Sequence, residues 1–253
     1  MDSRLIMDND IITFELATHY LPKIALAIES YHNNIQEAQE AHHPLVHLQA
    51  FSSLIDLLKI IEKPELKSRF LKEMLRLEHQ LSKDINPNNK ELFAKLYLHI
   101  HQLSHIAGRF ANELYQDPFL QSVLQAIPAQ GTENTLLPQI KFWLSVDENI
   151  RQENLQNWLN QLALLHETVS IYLGILRNSA RFENIVLMTH FYQKPIPPKT
   201  QCHLISLSLD RNLALIPKMQ IGQHGLSIRF CEASILPCQR QEQTPIRLGI
   251  TQL

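Results

Sequence analysis

The sequence predicts an α+β protein: a mostly helical bundle over residues 17–181 and a small, mainly antiparallel C-terminal β-domain over 182–253, which also takes an N-terminal strand at 11–16. Three observations predict it. Apolar residues recur at intervals of three and four through most of the first 180 positions, the spacing that places them on one face of a helix. Beyond Phe182 the period shortens to two, the spacing of a strand with one buried face. Charge changes sign at the same place: residues 1–181 hold 16 basic and 21 acidic side chains and residues 182–253 hold 7 and 4, so the chain's −2 divides into −5 and +3.

The elements follow in order. Ile11 to Leu16 (I-I-T-F-E-L) reads as a strand that joins the C-terminal sheet; residues 1–10 before it are polar and expected to be dispensable. Leu21, Ile24, Ile28, Tyr31 and Ile35 form the first helical stripe, and Leu48, Phe51, Ile55 and Leu58 the second. Lys63-Pro64-Glu65-Leu66, with proline near the first turn, starts a third helix carried by Phe70, Met74, Leu77 and Leu81. Asn86-Pro87-Asn88-Asn89 breaks the chain, and a longer helix is expected from about Lys90 to Tyr115. Asp117-Pro118 starts a short helix reaching Ala126, and Ile127 to Thr135, with Pro128 and Gly131, reads as a loop. Helices resume near Pro138; Leu155, Trp158, Leu162, Leu165, Val169, Tyr172 and Leu176 continue the stripe. Then the alternation begins. Ile185, Leu187, Thr189 and Phe191 fall on one side of a stretch, and Leu204 to Leu209 and Leu226 to Phe230 alternate likewise. Turn signals at Pro195 to Pro198, Asp210 to Asn212 and Gly222 to Gly225 separate them, and Ile246 to Thr251 is expected to add an edge strand.

Composition removes several functions. With 45% hydrophobic and 19% charged residues over 253 positions, the chain is able to bury a sizeable core. Six glycines, and neither G-x-G-x-x-G nor G-x-x-x-x-G-K-[ST], leave no phosphate-cradling loop. A net charge of −2 counts against general nucleic-acid binding, which needs a basic surplus to displace counterions. The first ten residues carry acids where a signal peptide needs an apolar core, and no run approaches the roughly 18 apolar residues of a membrane span, so a cytoplasmic protein with no membrane partner is expected. Cys202, Cys231 and Cys238 are odd in number and lack C-x-x-C spacing, as befits reduced structural thiols.

Catalytic and metal signals are weak. His101 and His105, like His43 and His47, are spaced for one helix face, but no Asp, Glu or Cys supports either pair and H-E-x-x-H is absent. Cys202-His203 is equally unsupported. No G-x-S-x-G elbow occurs, Ser206 and Ser208 alternate with leucines as strand residues do, and nothing in the sequence pairs Glu15 or Glu183 for acid–base work. No enzyme activity, cofactor or metal is expected; a His-dependent metalloenzyme is the rival that metal analysis would separate.

A collinear set of motifs carries a positive signal: I-T-F-E (Ile12 to Glu15), S-L-I-D-L-L (Ser53 to Leu58), F-L-K-E-M (Phe70 to Met74), Ile127-Pro128, F-W-L (Phe142 to Leu144), L-R-N-S-A (Leu176 to Ala180), F-Y-Q (Phe191 to Gln193), S-L-S-L (Ser206 to Leu209) and S-I-R-F (Ser227 to Phe230). In that order, from about Ile12 to Leu253, the chain resembles the ZapD family, bacterial proteins that bind the C-terminal tail of the division tubulin FtsZ and crosslink its filaments. The resemblance implies a cytoplasmic homodimer recruited to the midcell division site, where it bundles filaments and supports Z-ring assembly. It also implies that an acidic, partly apolar tail is captured by fixed cations beside the sheet, a task suited to the planar fork of arginine. Arg229 and Arg247 match basic positions of the family's C-terminal sheet, Lys63 and Lys67 match basic positions after its second helix, and Lys141 stands where the family often has His. The chain departs from the family at Ser122 to Gln125, where a basic run is usual, at Asn112 in place of an arginine, and in the loop Ala129 to Pro138. Two plainer readings stand beside this one: the five cations as solvated surface charges, and a peptide-binding scaffold module for another acidic partner.

Overall fold

The computed structural model describes residues 11–82, 90–127, 137–186, 190–196, 202–223, 225–233 and 246–252. The expectations for residues 1–10, the break at Asn86 to Asn89, Pro128 and Gly131 and the thiol of Cys238 fall outside them. The architecture is α+β, and the chain divides into two compact units, Ile24–Leu173 and Met1–Lys23 with Gly174–Leu253.

Helices build the first unit: α1 (Tyr20–Glu37), α2 (Pro44–Ile61), α3 (Glu65–Leu81), α4 (Lys90–His105), α5 (Pro118–Ala126), α6 (Pro138–Ser145), α7 (Glu148–Gln161) and α8 (Ala163–Asn178), of which α1 and α8 begin or end in the other unit. Local chemistry sets their starts. Asp117 accepts the Phe119 and Leu120 amides and Pro118 fills the first turn of α5; Asp147 accepts the Asn149 amide at α7; the His43 ring accepts the Leu45 amide at α2. Each satisfies amides that a first turn leaves without partners. The anticipated stripes are the core. Phe51, Ile55 and Leu58, then Phe70, Met74, Leu77 and Leu81, and all seven stripe residues from Leu155 to Leu176 are buried. Phe70 meets the rings of Tyr172 and Phe110 edge-on at 5.6 and 6.3 Å. By length and composition α2 is apolar enough to cross a bilayer, yet half of it is buried inside the protein.

One helix is shorter than expected. α4 ends at His105 rather than near Tyr115, because Gly108 (φ 79°) and Ala111 (φ 46°) take left-handed conformations that a right-handed helix cannot include, and only a 3-10 turn forms at Asn112–Tyr115. His47 of the His43/His47 pair is a core residue. Its Nδ1 accepts from buried Arg151 Nε at 2.8 Å and its Nε2 donates to the Ala41 carbonyl at 2.9 Å, so both ring nitrogens are occupied. Arg151 also donates to the Leu144 and Val146 carbonyls, fixing the corner between α6 and α7.

Among the described residues seven strands dominate the second unit: β1 (Ile11–Ala17), β2 (Ala180–Ile185), β3 (Phe191–Lys194), β4 (Cys202–Asp210), β5 (Leu215–Gly222), β6 (Gly225–Glu232) and β7 (Ile246–Gln252). They form a four-stranded sheet, β1-β4-β7-β2, and a three-stranded sheet, β3-β6-β5, in which every described pairing is antiparallel. The N-terminal strand joins the C-terminal sheet as expected, in register from Ile11 opposite Asp210 to Ala17 opposite Leu204. The two sheets meet over one core, with Ile205, Leu207, Leu248 and Ile250 of the larger against Leu226, Ile228 and Phe230 of the smaller.

Three strand expectations change. β7 is interior, not an edge: β4 and β2 pair with its two sides, and Leu248, Gly249, Ile250 and Thr251 are all buried. The stretch from Ile185 to Phe191 is not one strand. β2 ends at buried Ile185 in one sheet, β3 begins at exposed Phe191 in the other, and Leu187 and Thr189 lie outside the described residues. β5 was not anticipated at all, since Pro217 interrupts its reading as a strand. Gly225 closes the β5–β6 hairpin at φ 102°, where an added Cβ would lie 2.3 Å from the Lys194 carbonyl oxygen. At Gly249 the Phe182 ring occupies the missing side chain's place.

Candidate functional site

Alternation along the three-stranded sheet sends Leu226, Ile228 and Phe230 inward and Ser227, Arg229 and Cys231 outward. Register places Arg229 directly between Phe191 of β3 and Lys218 of β5. The outward face therefore carries two neighbouring cations, with Phe191 (48% exposed) on one side and Ile216 (47% exposed) close by. Gln193, Gln220 and Ser227 complete it, and none of these outward residues is acidic. Like charges directly opposite on a sheet destabilise the pair. Among the described residues neither Arg229 nor Lys218 has a carboxylate partner, so an anion laid across them would remove that cost.

The other cations stand elsewhere. Arg247 is on the outward face of the four-stranded sheet, its guanidinium 3.9 Å from the centroid of the Phe182 ring. Because the core lies between the sheets, Arg229 and Arg247 point to opposite sides of the sandwich. In the helical unit, Lys63 is exposed in the turn between α2 and α3, and Lys67, one turn on, donates its ammonium to the Ile106 carbonyl. Lys141 is exposed on α6. The structure thus brings Lys63 and Lys67 close in the chain, separates Arg229 from Arg247, and adds Lys218. Sequence reading missed Lys218 because it missed β5; the alternation Leu215, Pro217, Met219, Ile221 was the signal that would have found it.

The two glutamates without evident partners are both paired. Arg177 holds Glu15 bidentately, Nε to Oε1 at 2.9 Å and Nη2 to Oε2 at 2.7 Å. Glu183 accepts from Lys194 Nζ and from the Tyr192 hydroxyl at 3.1 Å; burial first, and then this carboxylate, push the Tyr192 pKa up. A carboxylate committed to a guanidinium or an ammonium is a structural tie. His101 and His105 face solvent with ring centroids 4.3 Å apart, and among the described residues no group of three His, Cys, Asp or Glu side chains is arranged to hold a metal. Burial raises the Cys202 thiol to about 11, which keeps it protonated.

Residues 26–229 match the model of the ZapD family, described as cell division proteins. The cell division protein ZapD of Nitrosomonas eutropha is 29% identical over 231 residues, covering 87% of this chain and 90% of its own. That of Coxiella burnetii (strain RSA 331) is 27% identical over 228 residues, covering 87% and 88%, and that of Chromobacterium violaceum 26% over 231 residues, covering 88% and 90%. These names are those of division proteins rather than enzymes.

Proposed function

The chain belongs to the ZapD family of cell division proteins, and on that premise we propose that it binds the C-terminal tail of FtsZ and, as a homodimer at the midcell division site, crosslinks FtsZ filaments. The observation that carries the binding half is the row Phe191–Arg229–Lys218 on the outer face of the small sheet. An acidic, partly apolar tail finds there two cations with no carboxylate partner among the described residues, beside exposed aromatic and aliphatic surface. Arg247, Lys63, Lys67 and Lys141 are the further cations of this reading, recruited along the tail or left as solvated charges.

Dimerisation turns a weak site into a crosslink. One tail site per protomer becomes two per dimer, and a filament presents many tails, so micromolar sites suffice for bundling. The basic row also suits a scaffold module for another acidic segment, and the tail itself decides between the two. Sedimenting FtsZ polymers with and without this protein should move both proteins to the low-speed pellet. An isolated tail peptide should bind and should compete the bundling away. If the tail peptide neither binds nor competes, the scaffold reading replaces this one.

A further inference from the structure

The helical unit holds a cavity of its own. Between α5, α6 and α7 lies an open cavity of about 250 Å³, lined by Phe119, Phe142, Trp143, Ile150, Trp158 and Asp117. Its walls are aromatic faces in fixed positions. Phe119 and Trp158 are parallel within 3° at 6.4 Å, Trp143 lies 5.8 Å from Trp158, and fully buried Phe51 braces the Phe119 and Trp158 rings edge-on at 5.9 and 5.7 Å. Trp143 Nε1 donates to Asn154 Oδ1 at 2.9 Å, which fixes the tilt of that indole.

One carboxylate, that of Asp117, lines the cavity beside these rings. Asp117 receives both capping amides, from Phe119 and Leu120, on Oδ1 alone, and its Oδ2 has no hydrogen-bond partner among the described residues. Aromatic faces attract cations through their quadrupole, and a carboxylate beside them adds a fixed counter-charge. The stretch of chain that builds the cavity is acidic overall. Among the described residues from Asn112 to Asn154, Glu113, Asp117, Asp147, Glu148 and Glu153 outnumber Lys141 and the buried Arg151. Phe142 at 70% and Ile150 at 49% exposure form an apolar rim, which a lone small cation would leave wet and a polypeptide would cover.

We propose that this cavity is a docking site for a basic side chain, arginine above all, presented by a partner polypeptide with apolar neighbours. Guanidinium is the best fit because it is flat enough to lie on the exposed Phe142 ring, with the buried indoles behind it, while its edge donates to Asp117 Oδ2.

Trp143 and Trp158 are the only tryptophans of the chain, so intrinsic tryptophan fluorescence reports this cavity alone. The probes are the tripeptide acetyl-Leu-Arg-Leu-amide and its uncharged counterpart with citrulline for arginine. The full chain should give a saturable emission change with the arginine peptide and at least a fivefold weaker response with citrulline. Asp117→Asn keeps a good helix cap, so its melting curve should match wild type while its arginine affinity falls to the citrulline level. Phe142→Ala, at an exposed position, should weaken both peptides together. Equal affinity for the arginine and citrulline peptides, or no saturation below about 10 mM, a Kd weaker than useful recognition, overturns the proposal. Equal affinity for N-acetylarginine amide alone overturns the polypeptide source, because the rim would then contribute nothing.

Discussion

Arg229 and Arg247 carry the same charge in different surroundings, and their mutants should differ accordingly. Arg229 faces Lys218 and has no carboxylate partner among the described residues, whereas Arg247 rests on the Phe182 ring that covers Gly249. Arg229→Glu should lower FtsZ-tail affinity at least tenfold in a fluorescence-anisotropy titration and leave the melting temperature unchanged. Arg247→Glu should cost about 0.5–1 kcal/mol of stability through the lost stack and change tail affinity less. The reverse pattern would move the site to the larger sheet. Among the histidines, His32 is buried and stacked on His166 at 3.8 Å, its Nδ1 without a hydrogen-bond partner among the described residues; burial, and then His166, hold its pKa near 4 against 6.5 in the unfolded chain. The folded pKa is depressed, so the unfolded state binds the extra proton between pH 6.5 and 4, and stability falls as pH falls through that window. His99, lowered chiefly by burial, acts in the same direction, while exposed His42 beside Glu148 is raised and acts weakly in the opposite one. Melting temperature should therefore drop from pH 6.5 to 4, and His32→Leu should flatten that slope whatever it does to the value at pH 7.

Single glycines separate two kinds of element. Gly174 lies inside α8 with open space where a Cβ would go, so Gly174→Ala should stabilise by about 0.5–1 kcal/mol from helix propensity alone. Gly225 holds a left-handed turn against the Lys194 backbone, and Gly225→Ala should destabilise by about 2 kcal/mol or more, since backbone cannot yield as a flexible side chain does. Chemical denaturation of the two variants checks both signs. The same contrast explains what was legible in the sequence. The stripes of α1, α2, α3 and α8 are read directly, because burying one helix face needs apolar residues at a fixed period. β7 was misread as an edge because its Gly249 and Thr251 look solvent-tolerant, although one is covered by Phe182 and the other donates to the Leu176 carbonyl at 2.7 Å. The end of α4 is marked locally by Gly108, a helix-stop residue at φ 79° with open space around it, but the left-handed Ala111 carries no such mark in the sequence. Half of the basic row was visible as Arg229; Lys218 was not, because register across β5 and β6 cannot be read until both strands are known.

At the scale of the molecule, an acidic first part and a basic second part of one chain have a measurable consequence. Tail capture by exposed cations is screened over about 8 Å at physiological ionic strength, so tail affinity should fall as salt rises, whereas a dimer held by apolar helix surface should resist the same salt. Exposed apolar residues of the helical unit such as Leu75, Tyr97 and Leu98, each more than 40% exposed, leave surface for such a contact. Light scattering at micromolar concentration should give twice the chain mass at both low and high salt. Filament bundling needs both events, and tail binding needs only one. On dilution below the dimer's dissociation constant, bundling per bound protein should therefore collapse while binding to an isolated tail peptide continues unchanged. A chain that is monomeric at micromolar concentration yet bundles filaments would require two tail sites on one protomer, and the opposed outward faces bearing Arg229 and Arg247 would then be the places to look for them.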